Sequence, residues 1–189
     1  VKPALAEQPH YQWMWPNKDF AYIGVPKCGS VTMRESFGLK TIKGVTRDKV
    51  LSMSRRLAVV RHPVDRIFSA HRYGWKDVPF DEWWRHTKKN PHWDVHTYPI
   101  VDWLQDDATE IRALEQIAQW WHEYTPLFPS MPKDPPQLNK GTWERDERYV
   151  DSILSLYYAD YLLYVRACRV LRVGTSPKTL VPNCLSARH

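Results

Sequence analysis

Two short apolar runs stand out in a chain of otherwise mixed polarity. Phe20 to Val25 reads FAYIGV, and Arg56 to Val60 reads RLAVV. Runs of this length, bounded by turn or charged residues, predict buried strands, since a helix of the same burial needs more residues. Each run leads into a turn and then a helical pattern. Pro26-Lys27-Cys28-Gly29 follows the first, and Val31 to Phe37 predicts a helix. Arg61-His62-Pro63 follows the second, with Val64 to Tyr73 continuing as helix. Pro63 suits the first helical position, where its missing N–H costs nothing. Strand, loop, helix, then strand, turn, helix is the order of a parallel α/β sheet.

The remainder is less regular. Residues 75–105 carry many Trp, His and Pro and little period, so loops with short helices are expected. Asp107 to Tyr124 fits two readings. Asp107 and Glu110 resemble a capping box before a helical stripe of Ile111, Leu114, Ile117, Ala118 and Trp121. A strand at Glu110–Ala113 followed by a helix fits nearly as well. Pro126 to Pro136 holds five prolines in eleven residues and must be a loop. Arg145 to Cys168 predicts one long helix, with Tyr149, Ile153, Leu156, Asp160 and Tyr164 near one face. Residues 1–18 read as an N-terminal arm lying over the domain, 19–168 as a single domain, and 169–189 as a C-terminal tail. No internal repeat is present.

Composition narrows the class. With 189 residues, 43% hydrophobic and 25% charged, the chain suits one globular domain rather than a disordered segment. The net charge of +6 is not evenly spread. Residues 27–72 hold eleven Lys/Arg and three Asp/Glu, whereas the other 143 hold sixteen and eighteen. The excess belongs to one segment, which points to a local anion site. Three cysteines, Cys28, Cys168 and Cys184, are too few and too uneven for a disulfide framework and suit a reducing compartment. No apolar run reaches the ~18 residues of a membrane span, and no secretory signal is visible. The expectation is a cytoplasmic location without a membrane span. The chain has no initiator Met, which leaves a removed anchor or signal open.

Two motifs fall inside the basic segment. In the first, Gly24 to Thr32, a loop joins a buried strand to a helix start. Such a loop turns N–H groups toward an anion, and the helix dipole favours negative charge there. Gly29 permits close approach, Ser30 and Thr32 offer hydroxyls, and Lys27 offers a mobile ammonium. The register is not that of Walker A. Gly24 and Gly29 have its gap, but Ser30 follows Gly29 where Lys would stand, and Lys27 lies two residues before it. In the second motif, Arg61 stands at a strand end, where α/β sheets place ligands, and Ser69 follows on the next helix. Arg presents paired donors that match a phosphate. Arg66 lies between them, placed either to pair with Asp65 or to face the ligand. A plain tight turn and an ordinary capping Arg would explain either motif alone. The pair, on adjacent strand–helix units, suggests a ligand with two separated phosphate groups.

These residues carry a family resemblance. Pro26-Lys27-Cys28-Gly29-Ser30 with Thr32 resembles the 5′-phosphosulfate loop of sulfotransferases that use 3′-phosphoadenosine 5′-phosphosulfate (PAPS). Arg61-His62-Pro63-Val64-Asp65-Arg66-Ile67-Phe68-Ser69 resembles their 3′-phosphate motif. Looser likenesses follow at His92 to Pro99, Leu114-Glu115, Leu138-Asn139-Lys140 and Leu156 to Tyr161, and they look most like the carbohydrate branch. The resemblance covers roughly residues 20–165. It departs from the family at His62, where Asp is usual, at Val31, where a hydroxyl is frequent, and at Cys28, a variable position.

The resemblance implies a P-loop-like central parallel sheet flanked by helices. It implies in-line transfer of a sulfuryl group from PAPS to a hydroxyl acceptor, with PAP as product and no metal. Lys27, Cys28, Gly29, Ser30, Val31 and Thr32 would hold the 5′ end, with Lys27 meeting charge on the leaving phosphate. Arg61 and Ser69 would hold the 3′-phosphate. The acceptor proton calls for a base. Relatives often place a His or Glu between the two motifs, yet residues 37–60 hold no His and only Asp48 as acid. Glu35, His71, His92 and His96 are the candidates. His92 and His96 are preferred because they lie in the aromatic segment expected to cover the acceptor.

Seven of the ten Trp residues lie between Trp75 and Trp121. Most are expected in the core, with any exposed faces suited to stacking on sugar rings. Within each adjacent pair, Trp83-Trp84 and Trp120-Trp121, one member is expected to be exposed or to cover another segment. Two other classes compete with a transferase acting on a carbohydrate or other hydroxyl acceptor. A small P-loop kinase would turn over ATP with Mg²⁺. A non-catalytic nucleotide- or RNA-binding module would show a steep salt dependence. The transferase reading expects no nucleic-acid partner.

Overall fold

The computed structural model describes residues 14–17, 19–39, 47–104, 109–129, 131–136 and 145–170. A four-stranded sheet runs through them in the order β1 (Met14–Asn17), β2 (Phe20–Ile23), β3 (Arg55–Val60), β4 (Glu110–Ala113). β2, β3 and β4 are parallel, with Tyr22 beside Leu57 and Ala58 beside Ile111. β1 adds antiparallel, with Met14 beside Ile23. Part of the expected arm is therefore an edge strand, while residues 1–13 lie outside the described residues.

Helices α1 (Ser30–Ser36) and α2 (Arg47–Leu51) fall between β2 and β3. After β3 come α3 (Pro63–Gly74), α4 (Phe80–Lys89) and α5 (Ile100–Leu104). After β4 come α6 (Ile117–Trp120), α7 (Val150–Leu156) and α8 (Tyr158–Val170). The strand at Glu110–Ala113 decides between the two readings of that segment, and Asp107 lies outside the described residues. The helix expected over Arg145–Cys168 is broken at Tyr157, which separates α7 from α8. Its hydroxyl donates to the Thr97 carbonyl at 2.6 Å. A buried tertiary bond thus fixes the break, which sequence periodicity does not register.

Strand side chains alternate between two cores, as the pleat requires. Ala21, Ile23, Ala58 and Val60 pack with Ile100, Trp103 and Leu104 of α5 and Tyr164, Ala167 and Cys168 of α8. Phe20, Tyr22, Leu57 and Val59 pack with Met33 and Phe37 on the α1 side and with Trp120, Trp121, Tyr124 and Phe128. Both faces are covered, which explains why the strands read as continuous apolar runs. A third cluster joins α3, α4 and the α7 region through Ile67, Phe68, Trp83, Trp84, Ile153 and Tyr157.

All four members of the two Trp pairs are buried, none above 4% exposed, so of the two alternatives expected for each pair it is contact with another segment, not exposure, that occurs. α4 is packed on two sides. Trp83 meets the His71 ring of α3, and Trp84 Nε1 donates to Ser152 Oγ of α7 at 3.2 Å. Trp120 Nε1 donates to the Ala113 carbonyl at 2.9 Å. Trp121 Nε1 donates to the Pro132 carbonyl at 2.8 Å, so the proline-rich loop covers it.

Candidate functional site

Past Ile23 the chain turns through Gly24 to Gly29 before entering α1. The turn is closed by Val25 N–H on the Ile23 carbonyl at 3.1 Å and Cys28 N–H on the Val25 carbonyl at 3.2 Å. Lys27 and Gly29 both have positive φ, 65° and 76°. For Lys27 that conformation costs roughly 1–2 kcal/mol, so the surrounding structure holds it there. Left-handed residues in a tight turn gather successive N–H groups on one concave side, a form suited to anions. At Gly29 a Cβ would also lie 2.9 Å from Leu114 Cδ1, so a side chain there would have to displace the tip of Leu114 as well as adopt a left-handed backbone. The first α-helical bond of α1 runs from Met33 N–H to the Gly29 carbonyl at 3.0 Å. The N–H groups of Ser30, Val31 and Thr32 precede it and have no helical partner. Val31 therefore offers a backbone donor although it lacks a hydroxyl.

Two buried groups lock this loop. Cys28 is fully buried, and burial pushes its thiol up to about 12. Its sulfur accepts from the Arg61 backbone N–H, which ties the end of β3 to the loop. With its N–H and its sulfur both used internally, Cys28 shapes the loop. Arg66, 1% exposed, donates from Nε to the Pro26 carbonyl at 3.1 Å. Its Nη1 lies 3.9 Å from Asp160 Oδ2 on α8. Asp160 also accepts from the Ile100 and Val101 N–H groups at 2.8 and 3.1 Å. Of the two placements expected for Arg66, the pairing with Asp65 is taken by Arg145, which holds that carboxylate at 2.8 and 2.7 Å.

Lys27 reaches across from the loop to α3. Its Nζ lies 3.9 Å from the centre of the Tyr73 ring, a cation–π contact. Burial lowers its pKa, the positive charge of Arg61 lowers it further, and Cys28 and Asp94 act in the opposite sense. Arg61 is half-buried just past the end of β3. Two cations thus share a field at the ends of adjacent parallel strands, and an anion placed there relieves their repulsion. Ser69 lies half-buried on α3, and among the described residues its hydroxyl makes no hydrogen bond.

Tyr73 also meets a histidine. The His96 ring lies 5.1 Å from the Tyr73 ring, centre to centre. His96 Nδ1 is 2.8 Å from Asp94 Oδ1, and that oxygen also accepts the His96 backbone N–H at 2.9 Å. Asp94 Oδ2 accepts from Trp75 Nε1 at 2.9 Å. Burial raises the Asp94 carboxyl, but the bonds from His96 and Trp75 outweigh it and hold the group at about 2. The segment is anchored from below. Thr97 Oγ1 donates toward the Pro91 and Asp94 carbonyls, each at 2.8 Å, and the Thr97 carbonyl accepts from Tyr157.

The remaining candidates are placed elsewhere. His92 Nε2 lies 2.7 Å from Asp102 Oδ2 on α5, and its ring meets Tyr98. His71 Nε2 is spent on the Val78 carbonyl at 2.7 Å. Glu35 is exposed beside Arg34 at 3.7 Å. His62 is buried against Tyr161 and Tyr164, and burial lowers its pKa to about 4. Leu138-Asn139-Lys140 lie outside the described residues. Compared with known proteins, the chain matches no family model, no curated protein and no solved structure. The geometry of the site therefore carries the functional reading.

Sequence reasoning singled out Lys27, Arg61, Ser69 and His96 and missed Tyr73, Trp75 and Asp94. Only the spacing Asp94-Val95-His96 hints at the last of these, because an Asp side chain readily bonds the backbone two residues on. Tyr73 carries no local signal, since its role comes from the approach of α3 to two loops.

Proposed function

We propose that the chain is a sulfotransferase that moves a sulfuryl group from PAPS to an acceptor hydroxyl, with a carbohydrate as the acceptor class. The observation that carries this reading is that Lys27 and Arg61 fall within one electrostatic field at the ends of two adjacent parallel strands, beside a turn with two left-handed residues. The likeness of both motifs to those of sulfotransferases gives the ligand its identity. It is a nucleotide with phosphates at both ends of its ribose, and PAPS supplies a sulfuryl group activated by its bond to phosphate.

The chain's own residues have separate tasks in this reading. The N–H groups of Ser30, Val31 and Thr32 and the turn at Gly29 hold the 5′-phosphate. Lys27 leaves the Tyr73 ring and meets the charge that gathers on that phosphate as it departs. Arg61 holds the 3′-phosphate with paired donors, Ser69 adds a hydroxyl, and together they fix the register of the nucleotide. Cys28, Arg66 and Asp160 keep the loop in shape without touching it. The half-buried aromatic segment around Trp75, Trp93 and Tyr98 stands where an acceptor ring is received.

Incubation with radiolabelled PAPS and a panel of glycans tests the reading. Label on a glycan, lost with Lys27→Ala, is the expected result. Mg²⁺-dependent ATP turnover with no use of PAPS would overturn it in favour of a kinase.

A further inference from the structure

The reading above leaves the acceptor proton without a destination. The Asp94–His96 pair supplies one. A carboxylate held at about 2 is ionised at neutral pH and only accepts hydrogen bonds. The contact of 2.8 Å from Asp94 Oδ1 to His96 Nδ1 therefore requires a proton on Nδ1. In the neutral ring, Nε2 then carries the lone pair, and among the described residues it makes no hydrogen bond. The ring is 20% exposed, so it is reachable but not freely rotating. His92 is set the other way round, with Nε2 committed to Asp102 and a 44% exposed ring.

Location adds a second, independent argument. Tyr73 touches the Lys27 ammonium and the His96 ring together. Lys27 and His96 thus contact the same aromatic ring, which brings both to one site.

We infer that Asp94, braced by Trp75, is a positioning residue that fixes His96 as the Nδ1–H tautomer, and that His96 Nε2 is the base beside Lys27. The inference rests on the transferase reading for its chemistry. As the acceptor oxygen bonds to sulfur, the bond from sulfur to the bridging phosphate oxygen breaks. The acceptor proton passes to His96 Nε2, and the electron pair leaves with the phosphate, whose charge Lys27 meets. Tyr73 contacts both the base and the cation.

The tautomer is read directly by nitrogen NMR of the His96 imidazole, with His96→Gln assigning the signal. The expected wild-type pattern has Nδ1 protonated and Nε2 bare, with Asp94→Asn shifting the ring toward the Nε2–H form. A wild-type ring protonated on Nε2 would overturn the inference, and it would do so whether or not PAPS is the donor. The measurement on wild type stands even where Asp94→Asn fails to fold. In the transfer assay, Asp94→Asn is expected to lower kcat by about 10²-fold or more while PAP affinity holds within about threefold. Wild-type kcat in a folded Asp94→Asn protein contradicts the role. Loss of PAP binding by the wild type removes the transferase reading and leaves the tautomer result standing by itself.

Discussion

Arg66 Nε donates to the Pro26 carbonyl at 3.1 Å, a bond from the helix after one strand to the loop after its neighbour. The same guanidinium lies 3.9 Å from Asp160, and both side chains are 1% exposed. One buried cation thus connects the loop, α3, α8 and the start of α5. Removing it leaves the Asp160 carboxylate buried without a counter-charge. Such losses cost about 3 kcal/mol or more, which lowers the melting temperature of a chain this size by roughly 10 °C. Arg66→Met is expected to show that fall in a thermal melt. Adding Asp160→Asn is expected to cost less than the two single losses together, the mark of a coupled pair. Additive effects would show that the pair is not coupled.

Gly29 stands at φ 76° with Leu114 Cδ1 only 2.9 Å from any added Cβ. Gly29→Ala is expected to destabilise by about 2 kcal/mol from backbone conformation and crowding combined. Because the distortion falls on the loop itself, PAP affinity should drop by about tenfold or more. Denaturant melts and a PAP titration on the same sample check both.

His62 gives the fold a pH dependence with a definite sign. Burial lowers its folded pKa to about 4, against 6.5 for the free side chain. Between these values the unfolded chain takes up a proton and the folded chain does not. Its contribution is therefore intact above about pH 6.5, falls as the pH drops toward 4, and is constant below that. The whole loss is on the order of 3 kcal/mol. His62→Phe keeps a ring against Tyr161 and Tyr164. It should flatten the difference in unfolding free energy between neutral and mildly acidic buffer. An unchanged slope would show that His62 is not the titrating group. Asp94 acts lower: with its folded value at about 2, its contribution is present above the ordinary Asp pKa and is lost only as the pH falls through 2.

Much of this architecture is legible in the sequence, for specific reasons. FAYIGV and RLAVV are buried on both faces of the sheet, so burial alone marks them as strands. Pro63 starts α3 as its fixed φ requires. Lys27 and Arg61 are legible because loop and strand end are local features. What is not legible depends on contacts distant in sequence. Tyr157 interrupts a helical pattern because Thr97 lies across from it. The adjacent Trp pairs are buried because a second layer, α7 or the proline-rich loop, covers the outward member. The sequence placed His92 and His96 on equal terms. Only the fold separates them, by setting Tyr73 beside one and Asp102 beside the other.

Lys27 titrates low because burial and Arg61 both oppose its charge. An anion bound between them reverses that shift. PAP binding in alkaline buffer is therefore expected to take up protons, seen as a binding enthalpy that varies with the ionisation enthalpy of the buffer. Lys27→Arg, which stays protonated throughout, should abolish the variation. A buffer-independent enthalpy in the wild type would place Lys27 away from the bound anion.

The central claim is that Lys27 and Arg61 form one nucleotide site. Calorimetric titration with PAP, for wild type, Lys27→Ala and Arg61→Ala, tests it most directly. The account predicts wild-type binding in the micromolar range, with each substitution weakening it by about tenfold or more, as expected for a charged hydrogen bond lost from a phosphate. Absence of micromolar binding by the wild type, or full affinity in Arg61→Ala, would contradict it.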